Sequence, residues 1–260
     1  MGYNQKNFQE KDLEIKDKNY KYFLSPIFVK NNFKHGFFTN KSSSINLSLL
    51  SKHLNLNNFN CKLDQIHSNQ IVCGSKTQGN KFLKADGMFN DKDNQNLCIY
   101  TADCMPILFA DKRKRFVAAI HCGRKGLEKK IIKNIINIFH NQGSSYKDII
   151  VAIGPSISRE YYLVDYETFY NFYINAFYEK SIFQVEDKDI KLKLRQLINS
   201  KNQVLIPLDL KKSAHIQLLN ENIQNINIDI SNLCTYESNH YFHSWRRSKT
   251  FLRQWNFISP

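Results

Sequence analysis

Two short apolar runs on either side of a basic turn constrain the fold more than any other part of the sequence. They run from Met105 to Ala110 and from Phe116 to Ile120, with the turn Lys112 to Arg115 between them. Each run has the length of a buried strand, so together they predict a β-hairpin. Antiparallel pairing brings the start of the first strand beside the end of the second. We therefore expect the thiol of Cys104 and the imidazole of His121 to be neighbours at one end of a sheet.

Size and composition predict a single domain of mixed class. The chain has 260 residues, of which 42% are hydrophobic, and this is enough for a substantial core. No linker, repeat or low-complexity block divides it. We expect an α/β (mixed α+β) fold, a layered α/β/α-type single domain with mixed sheets covered by helices. Residues 1–20 are polar and predict a peripheral N-terminal lead-in to one domain over residues 21–260.

Apolar periodicity and turn residues locate the remaining elements. Strands are predicted within 21–39, 63–73, 97–101, 148–153 and 226–230, and the aromatic tail 241–258 reads as strand-rich. Helices are predicted over 42–55, from 127 to about 141, and over 165–178, 187–199 and 209–222. The aromatic row in 165–178 is typical of a core-facing helix.

Cysteine usage and the absence of targeting signals predict a cytoplasmic protein. Six cysteines are spread along the chain, and no CxxC pair occurs. The first 25 residues contain no apolar h-region, and no apolar run reaches the 18 residues of a membrane span. We expect free thiols and no membrane partner.

A net charge of +14 raises the question of nucleic-acid binding. Basic surfaces bind phosphate backbones through counterion release. The lysines are dispersed through loops and helix faces, however, and no RNP, KH or zinc-finger pattern occurs. We therefore expect no specific nucleic-acid partner, and a non-catalytic basic binding protein stays as an alternative.

Three side chains at strand ends or breaks have metal-ligand chemistry: His67, Cys104 and His121. Two imidazoles and a thiolate suit zinc or copper, and three protein ligands leave a fourth position for water or substrate. The same residues also allow a metal-free hydrolase with Cys104 as nucleophile and His121 as its base. In the plainest alternative, His121 is a strand-end histidine and Cys104 a small buried hydrophobe. The residues alone do not separate these possibilities.

Charged residues near these positions are further candidates. Asp103, beside Cys104, could move protons or anchor an imidazole, and its alternative role is to cap a turn. Asp86 precedes a glycine and is more typical of turn chemistry. Arg246 and Arg247 are the only adjacent arginine pair, and guanidinium groups match phosphate or carboxylate oxygens. Alternatively, the two arginines simply lie on a strand at the protein surface.

Several motifs, taken in order, resemble the YfiH-like family, also called the laccase-domain or multicopper polyphenol oxidase family. The stretches are HGFFT, QIHSNQIV, ADG, TADCMPILFAD, AAIHCGRKG, AIGPSIS, LDLKKSAHIQLL and CTYESNHYFHSWRRS, and they span most of the chain from residue 35 onward. The resemblance implies a compact fold related at a distance to cysteine hydrolases. It also implies that His67, Cys104 and His121 are a metal-binding triad.

The family resemblance also implies an activity. Members are associated with phosphorolysis of purine nucleosides, including adenosine, inosine and methylthioadenosine, and with deamination of adenosine. Other descriptions are copper-dependent polyphenol oxidase and peptidoglycan editing factor. The chain is therefore predicted to be a zinc-dependent purine nucleoside phosphorylase with adenosine deaminase activity, copper being possible. Its predicted partners are a purine nucleoside and phosphate.

Predicted roles follow for particular residues. The catalytic candidates are Cys104, His121 and Asp103, and the phosphate-binding candidates are Arg246, Arg247 and Arg124. Two alternatives stay open: a metal-free Cys-His hydrolase of an amide or ester such as a peptidoglycan precursor, and a copper laccase. Laccase chemistry fits poorly, because it needs several coppers while the chain has eight histidines and no His-x-His pair.

The sequence departs from the family pattern in two places. Where members usually read HAGWRG, this chain reads HCGRKG, so Arg124 replaces a tryptophan and Lys125 an arginine. Where members usually read FTR followed by glycines, the chain has Asn40 and then KSSS. A stacking aromatic and anion-binding arginines are missing while the triad is intact. We expect an activity that is shifted, weakened or compensated by Arg124.

Overall fold

The computed structural model describes residues 5–16, 18–57, 59–60, 63–78, 82–177 and 205–260. Its elements in chain order are β1 (Gln9–Ile15), β2 (Lys18–Leu24), α1 (Pro26–Lys30), β3 (His35–Phe38), α2 (Leu47–His53), β4 (Phe59–Asn60), β5 (Leu63–Asp64), β6 (Ile71–Cys73), β7 (Leu83–Lys84), β8 (Gly87–Phe89), β9 (Asn96–Thr101), β10 (Met105–Asp111), β11 (Val117–Cys122), α3 (Arg124–Glu128), α4 (Ile131–Asn141), β12 (Ile149–Ile153), β13 (Leu163–Val164), α5 (Tyr166–Phe177), β14 (Ile206–Pro207), α6 (Leu210–Asn220), β15 (Ile228–Ile230), α7 (Trp245–Ser248) and β16 (Gln254–Ile258). Short 3-10 helices occur at Asn40–Ser44, Gly74–Gln78, Tyr146–Asp148 and Asn225–Asn227.

The predicted hairpin forms the middle of a six-stranded sheet with the order β15-β12-β10-β11-β8-β6. Strand β10 pairs antiparallel with both β11 and β12. Every residue of these strands is buried, which explains why the sequence shows continuous apolar runs rather than alternation. The hairpin prediction is confirmed.

A second six-stranded sheet, with the order β1-β2-β3-β16-β9-β4, packs on one face of this central sheet. Phe37 and Ile99 of the second sheet share a buried cluster with Leu108 and Ala119 of the central sheet. On the opposite face, Ile107 and Phe109 pack in a second cluster with residues of helices α4 and α6. The predicted mixed α/β fold with mixed sheets is confirmed. The layers are the second sheet, the central sheet and the helices.

Short elements differ most from the sequence predictions. Residues of PIFVK, predicted as strand, form α1 because Pro26 suits the first turn of a helix and the Asp229 carboxylate accepts the backbone N–H of Ile27. The tail 241–258 contains only one strand, β16, since the Ser244 side chain accepts the Arg247 N–H and starts α7. In 63–73, β5 and β6 pair with β7 and β8 rather than with each other.

Residues 1–20 were predicted as a lead-in, whereas the structure places part of this segment in the second sheet. Strands β1 and β2 pair antiparallel from Gln9 and Leu24 to Ile15 and Lys18. Strand β1 lies at the sheet edge and its first four residues are exposed, which explains its polar sequence. The expected boundary at residue 20 falls within β2.

Helix predictions are largely right in position. The helix after Gly126 is divided into α3 and α4 because Lys130 adopts a left-handed conformation, with φ of 62°. Helix α2 begins after the Asn46 cap rather than at the serines. The predicted helix 187–199 lies outside the described residues. Within the described part of the chain, no helix has both the length and the apolar character needed to cross a bilayer.

Candidate metal centre

Three separate segments bring two imidazoles and a thiol together at the end of the central sheet. Cys104 precedes β10, and His121 lies in β11 opposite Pro106. His67 lies between β5 and β6, with a left-handed φ of 57°. Its Nε2 is 3.8 Å from the Cys104 sulfur, and the ligand atoms of the three residues lie within 4.8 Å of one another. The convergence that the sequence predicts for Cys104 and His121 is present, and His67 joins it.

The buried carboxylate of Asp86 connects the two histidines. Its Oδ1 lies 2.8 Å from Nδ1 of His121 and accepts the backbone N–H of His67 at 3.0 Å. Its Oδ2 accepts the backbone N–H and the hydroxyl of Ser68. These contacts orient the His121 ring so that Nε2 faces the cluster, which is how carboxylates usually support a metal-binding histidine.

The charges and hydrogen bonds of the cluster favour the thiolate form of Cys104. Burial raises the pKa of Cys104, but the charge and hydrogen bond of His121, together with those of His67, outweigh it and bring the pKa to about 6. Burial lowers the pKa of His121, whereas the negative charges of Cys104 and Asp86 raise it to about 9. The thiolate is the form of cysteine that binds metals or attacks an electrophile.

The donor set fits a zinc ion. Zinc bonds to histidine nitrogen at about 2.0–2.1 Å and to thiolate at about 2.3 Å, so the ligand atoms of a tetrahedral site with two nitrogens and one sulfur are about 3.3–3.6 Å apart. The separations of 3.8 Å and up to 4.8 Å require only small side-chain adjustments to reach this geometry. Gly123 leaves room for the sulfur, since a Cβ there would lie 2.5 Å from it. The same donors also suit copper.

The cluster opens into a cavity of about 500 Å³. Beside the three metal-ligand candidates, the cavity is lined by basic, aromatic and polar side chains: Arg124, Lys125, Arg246, Arg253, Tyr100, Tyr162, Trp245, Gln65, Ala102 and Asp103. Its volume is within the range of small-molecule sites. A site of this kind can hold an aromatic ring and an anionic group next to a metal.

The predicted arginines are separated by the structure. Arg124 lines the cavity and pairs with Glu128 one helical turn away. The Arg246 guanidinium lies 4.8 Å from the centre of the Tyr162 ring and also lines the cavity. Arg247 is instead bound to backbone carbonyls, at 2.9 Å to Thr235, 2.6 Å to Tyr236 and 2.7 Å to Phe242. Adjacent helical residues point in different directions, so the pair does not form a clamp.

Asp103 has a different environment from the one expected of an imidazole anchor. Its Oδ1 accepts the Thr235 hydroxyl at 2.7 Å, and its Oδ2 accepts the Ser244 hydroxyl at 3.0 Å and the Arg246 N–H at 2.6 Å. The carboxylate that holds an imidazole is Asp86. Pairing of the ADGMF and VAAIH strands, which places Gly87 opposite Ile120, is the sequence signal that could have identified it.

Six cavity residues have no counterpart among the sequence predictions: Arg253, Trp245, Tyr100, Tyr162, Gln65 and Ala102. Arg253 and Trp245 belong to the tail that the sequence assigns to strands. Tyr100 is the penultimate residue of β9, and Tyr162 lies in a loop before β13. These residues come from parts of the chain that meet only in the folded protein, so no local pattern indicates their role.

Comparisons with known proteins agree with this architecture. Residues 39–259 match the family model described as multi-copper polyphenol oxidoreductase laccase. The chain is 30% identical over 235 residues to a purine nucleoside phosphorylase of Clostridium acetobutylicum, covering 85% of this chain and 90% of that protein. It is 30% identical over 187 residues to a purine nucleoside phosphorylase of Synechocystis sp., covering 67% of each.

Solved structures show the same fold. YlmD from Geobacillus stearothermophilus superposes with a TM-score of 0.74 at 21% identity, covering 96% of this chain and 99% of that one. The hypothetical protein YfiH from Bacillus licheniformis superposes with a TM-score of 0.73 at 23% identity, covering 92% and 96%.

Proposed function

The chain belongs to the YfiH-like, multi-copper polyphenol oxidoreductase laccase family, and from this premise we propose that it is a zinc-dependent purine nucleoside phosphorylase that also deaminates adenosine. The observation that carries the proposal is the His67–Cys104–His121 cluster at the wall of a cavity lined by cations and aromatic rings. Two relatives that are 30% identical bear the name purine nucleoside phosphorylase.

Substrate binding is assigned to the lining residues. The planar faces of Tyr100, Tyr162 and Trp245 offer surfaces for a purine base. Arg246 and Arg253 supply guanidinium groups that suit the oxygens of phosphate, which phosphorolysis requires beside the ribose C1′. Arg124 shares its charge with Glu128, so it contributes less to anion binding than its position alone indicates.

His67, Cys104 and His121 would hold the zinc ion. When bound, zinc supplies a Lewis acid that polarises substrate oxygen or nitrogen and activates water. Asp86 keeps the Nε2 of His121 directed at the cluster. Phosphorolysis requires phosphate beside the ribose C1′, whereas deamination requires water beside C6 of the adenine ring. The same residues would support both reactions only if the nucleoside binds with either carbon facing the cluster.

The test is product analysis with adenosine and phosphate. We expect adenine to form in the presence of phosphate and inosine to form with or without it. His121→Ala should remove both activities, whereas His53→Ala, at an exposed histidine of α2, should keep them. Elemental analysis should find one zinc per chain, lost in Cys104→Ala. Absence of both products, or equal activity of His121→Ala and the parent, contradicts the proposal.

A metal-free hydrolase is the second candidate, because Cys104, His121 and Asp86 also form a nucleophile, base and carboxylate series. His121 contacts Asp86 at 2.8 Å, and Cys104 hydrogen-bonds to His121. Chelator-treated protein would then hydrolyse an amide or ester, such as a peptidoglycan-derived peptide, and lose this activity on alkylation. Stoichiometric zinc bound through Cys104 would rule out a free thiolate nucleophile.

Two further alternatives have weaker support. In the described part of the chain, a single cluster of metal-ligating side chains is close enough to hold an ion, whereas polyphenol oxidation by several coppers needs more ligands. Measuring oxygen consumption in the presence of copper and a phenol tests the polyphenol oxidase alternative. A basic binding protein predicts nucleic-acid affinity that falls steeply with salt, which a titration at two salt concentrations measures.

A further inference from the structure

We propose that Asp103 is a positioning residue, which fixes the wall of the cavity formed by Trp245 and Arg246 at a set distance from Cys104. The kinetic part of this inference rests on the proposed function, but its structural part does not. Asp103 precedes Cys104 directly, while Trp245 and Arg246 lie on α7 more than a hundred residues later. One carboxylate thus connects the metal cluster to the opposite, substrate-facing side of the cavity.

The hydrogen bonds of Asp103 are divided between two parts of the C-terminal segment. Oδ1 accepts the hydroxyl of Thr235, and Oδ2 accepts the hydroxyl of Ser244 and the backbone N–H of Arg246. Ser244 is the N-cap of α7, and its hydroxyl also accepts the Arg247 N–H. Asp103 therefore holds both the cap and the first turn of the helix that carries Trp245 and Arg246.

Helix α7 depends on such contacts because its own length does not stabilise it. It has four residues, none of them buried, and a helix of this length is not stable by itself. Its other contacts come from the guanidinium groups of Arg247, on three backbone carbonyls, and of Arg246, on the Leu163 carbonyl and the Tyr162 ring. Trp245 is 44% exposed and belongs to none of the core clusters of the described residues. The position of its ring therefore depends on the backbone of α7, which the hydrogen bonds of Asp103 and Arg247 hold, and on the Lys249 ammonium 3.8 Å from the ring centre.

The backbone of Asp103 shows that this arrangement is over-determined. Its φ of 83° is unfavourable for residues other than glycine, although Asp and Asn tolerate such values better than most. The Asp103 carbonyl accepts the backbone N–H of Ile157 at 3.0 Å, so the main chain is held as well as the side chain. Backbone strain of this kind persists only where several contacts maintain it.

The same contacts argue against the proton-transfer role that the sequence suggests for Asp103. Both carboxylate oxygens are occupied by donors from the protein, and the side chain is only 8% exposed. To accept a proton from substrate, the carboxylate would first have to release Thr235 or α7. A positioning role and a proton-transfer role therefore predict different effects on kcat when Asp103 is replaced by asparagine.

Asp103→Asn distinguishes the two roles. Its amide oxygen can accept from Ser244 and Arg246 while its amide nitrogen donates to the Thr235 hydroxyl, which can accept. Positioning predicts that Asp103→Asn keeps kcat within about threefold of the parent, whereas Asp103→Ala raises KM about tenfold or more by losing these bonds. Proton transfer predicts that both variants lower kcat by about a hundredfold or more. Equal loss of kcat in both would overturn the proposal.

A fluorescence measurement tests the structural part without activity. The chain has two tryptophans, so Trp255→Phe leaves Trp245 as the only one. In this background we expect acrylamide quenching of Trp245 to increase in Asp103→Ala and to stay at the parental level in Asp103→Asn. Zinc content should be the same in all three proteins. Identical quenching in every variant would contradict the proposal even if the parent proved to have no phosphorolytic activity.

Ser244→Ala tests the same hydrogen bonds in case Asp103→Ala does not fold. It removes the Ser244 hydroxyl, which both contacts Asp103 and caps α7. The residue at position 103, with its positive φ, is unchanged. We expect Ser244→Ala to raise quenching and KM in the same direction as Asp103→Ala. Combined with Asp103→Ala, it should add less than its separate effect, because both substitutions break one network. Full additivity in the double variant would contradict the shared role.

Discussion

The absence of a side chain at Gly123 determines how near the Cys104 sulfur lies to the imidazoles. A Cβ at this residue would be 2.5 Å from that sulfur and 3.5 Å from a ring carbon of His67. The backbone itself, with φ of −94° and ψ of −171°, is open to any residue. The requirement for glycine is therefore one of space beside the candidate metal ligands.

Gly123→Ala should weaken zinc binding while leaving the fold intact. The sulfur must move by roughly 1 Å to reach ordinary van der Waals contact with the new methyl group, and this displaces one of the three donors. We expect zinc affinity, measured by competition with a chromophoric chelator, to fall about tenfold or more.

Gly126→Ala provides the matched control for this substitution. Gly126 lies three positions further along, within α3, and a Cβ added there would meet neighbours at 3.4–3.8 Å. Zinc affinity should therefore stay at the parental level. Equal zinc affinity in Gly123→Ala and Gly126→Ala would show that crowding at the sulfur has no effect on the site.

Asp86→Asn should weaken the same site through the imidazole rather than the thiolate. The substitution removes the negative charge beside His121 Nδ1 and leaves an amide where the carboxylate accepts hydrogen bonds from the His67 and Ser68 segment. We expect zinc affinity to fall by about 10–100-fold. Asp91→Asn, which alters a surface carboxylate bonded to Ser75, should have no effect on affinity. An unchanged chelator titration for Asp86→Asn would remove Asp86 from the support of the site.

Individual ligands could be predicted from sequence more readily than their supporting residues. Cys104 and His121 follow from hairpin geometry, since two strand ends meet wherever antiparallel strands pair. Asp86 was assigned to a turn because Asp-Gly has that local meaning, and its contact with His121 depends on the pairing of β8 with β11. The guanidinium group of Arg247 is of a type that binds anions, but in the structure it donates its hydrogen bonds to backbone carbonyls.

At the scale of elements, long apolar runs were predictable and short helices were not. The β10–β11 hairpin and α4 carry enough apolar residues to define their own type. Helix α1 depends on the Asp229 carboxylate, which lies 202 positions from its partner Ile27. Helix α7 depends on Ser244 and Asp103. Their conformations are set by contacts distant in sequence, so local propensity does not indicate them.

Helix α6 illustrates a boundary that local chemistry does set. The Asp209 side chain accepts the Lys212 N–H at 2.9 Å as N-cap, and Leu210, Ala214 and Leu218 behind it are buried in the helical layer. We expect Asp209→Ala to lower the free energy of unfolding by about 0.5–2 kcal/mol, measured by urea denaturation. Asp209→Ser, which retains an oxygen acceptor, should restore most of that loss. Equal destabilisation by Ala and Ser would show that the cap does not account for the effect.

At the scale of the whole molecule, one buried histidine links stability to pH. His35 is 2% exposed, its Nε2 accepts the Ser25 N–H at 2.7 Å and its Nδ1 donates to the Phe33 carbonyl at 2.9 Å. This arrangement requires a neutral ring. Burial is the main cause that lowers the His35 pKa from 6.5 to about 4 in the folded protein.

Between pH 6.5 and about 4 the unfolded chain therefore binds a proton at His35 that the folded protein does not. Stability should be fully present above pH 6.5 and fall as pH decreases, by at most about 1.4 kcal/mol per pH unit. Urea unfolding at pH 7 and at pH 4.5 measures the change. In His35→Gln, whose amide can accept the Ser25 N–H, this contribution should disappear. The same pH dependence in parent and variant would assign the effect to other groups.

Strand β16 lies between β3 and β9 in the second sheet, although it follows both of them by a long stretch of chain. During translation, the two halves of that sheet are made long before the strand that joins them. The sheet can close only once β16 has left the ribosome exit tunnel. We therefore expect the hydrophobic face between the sheets to stay accessible to chaperones until a late moment of biosynthesis.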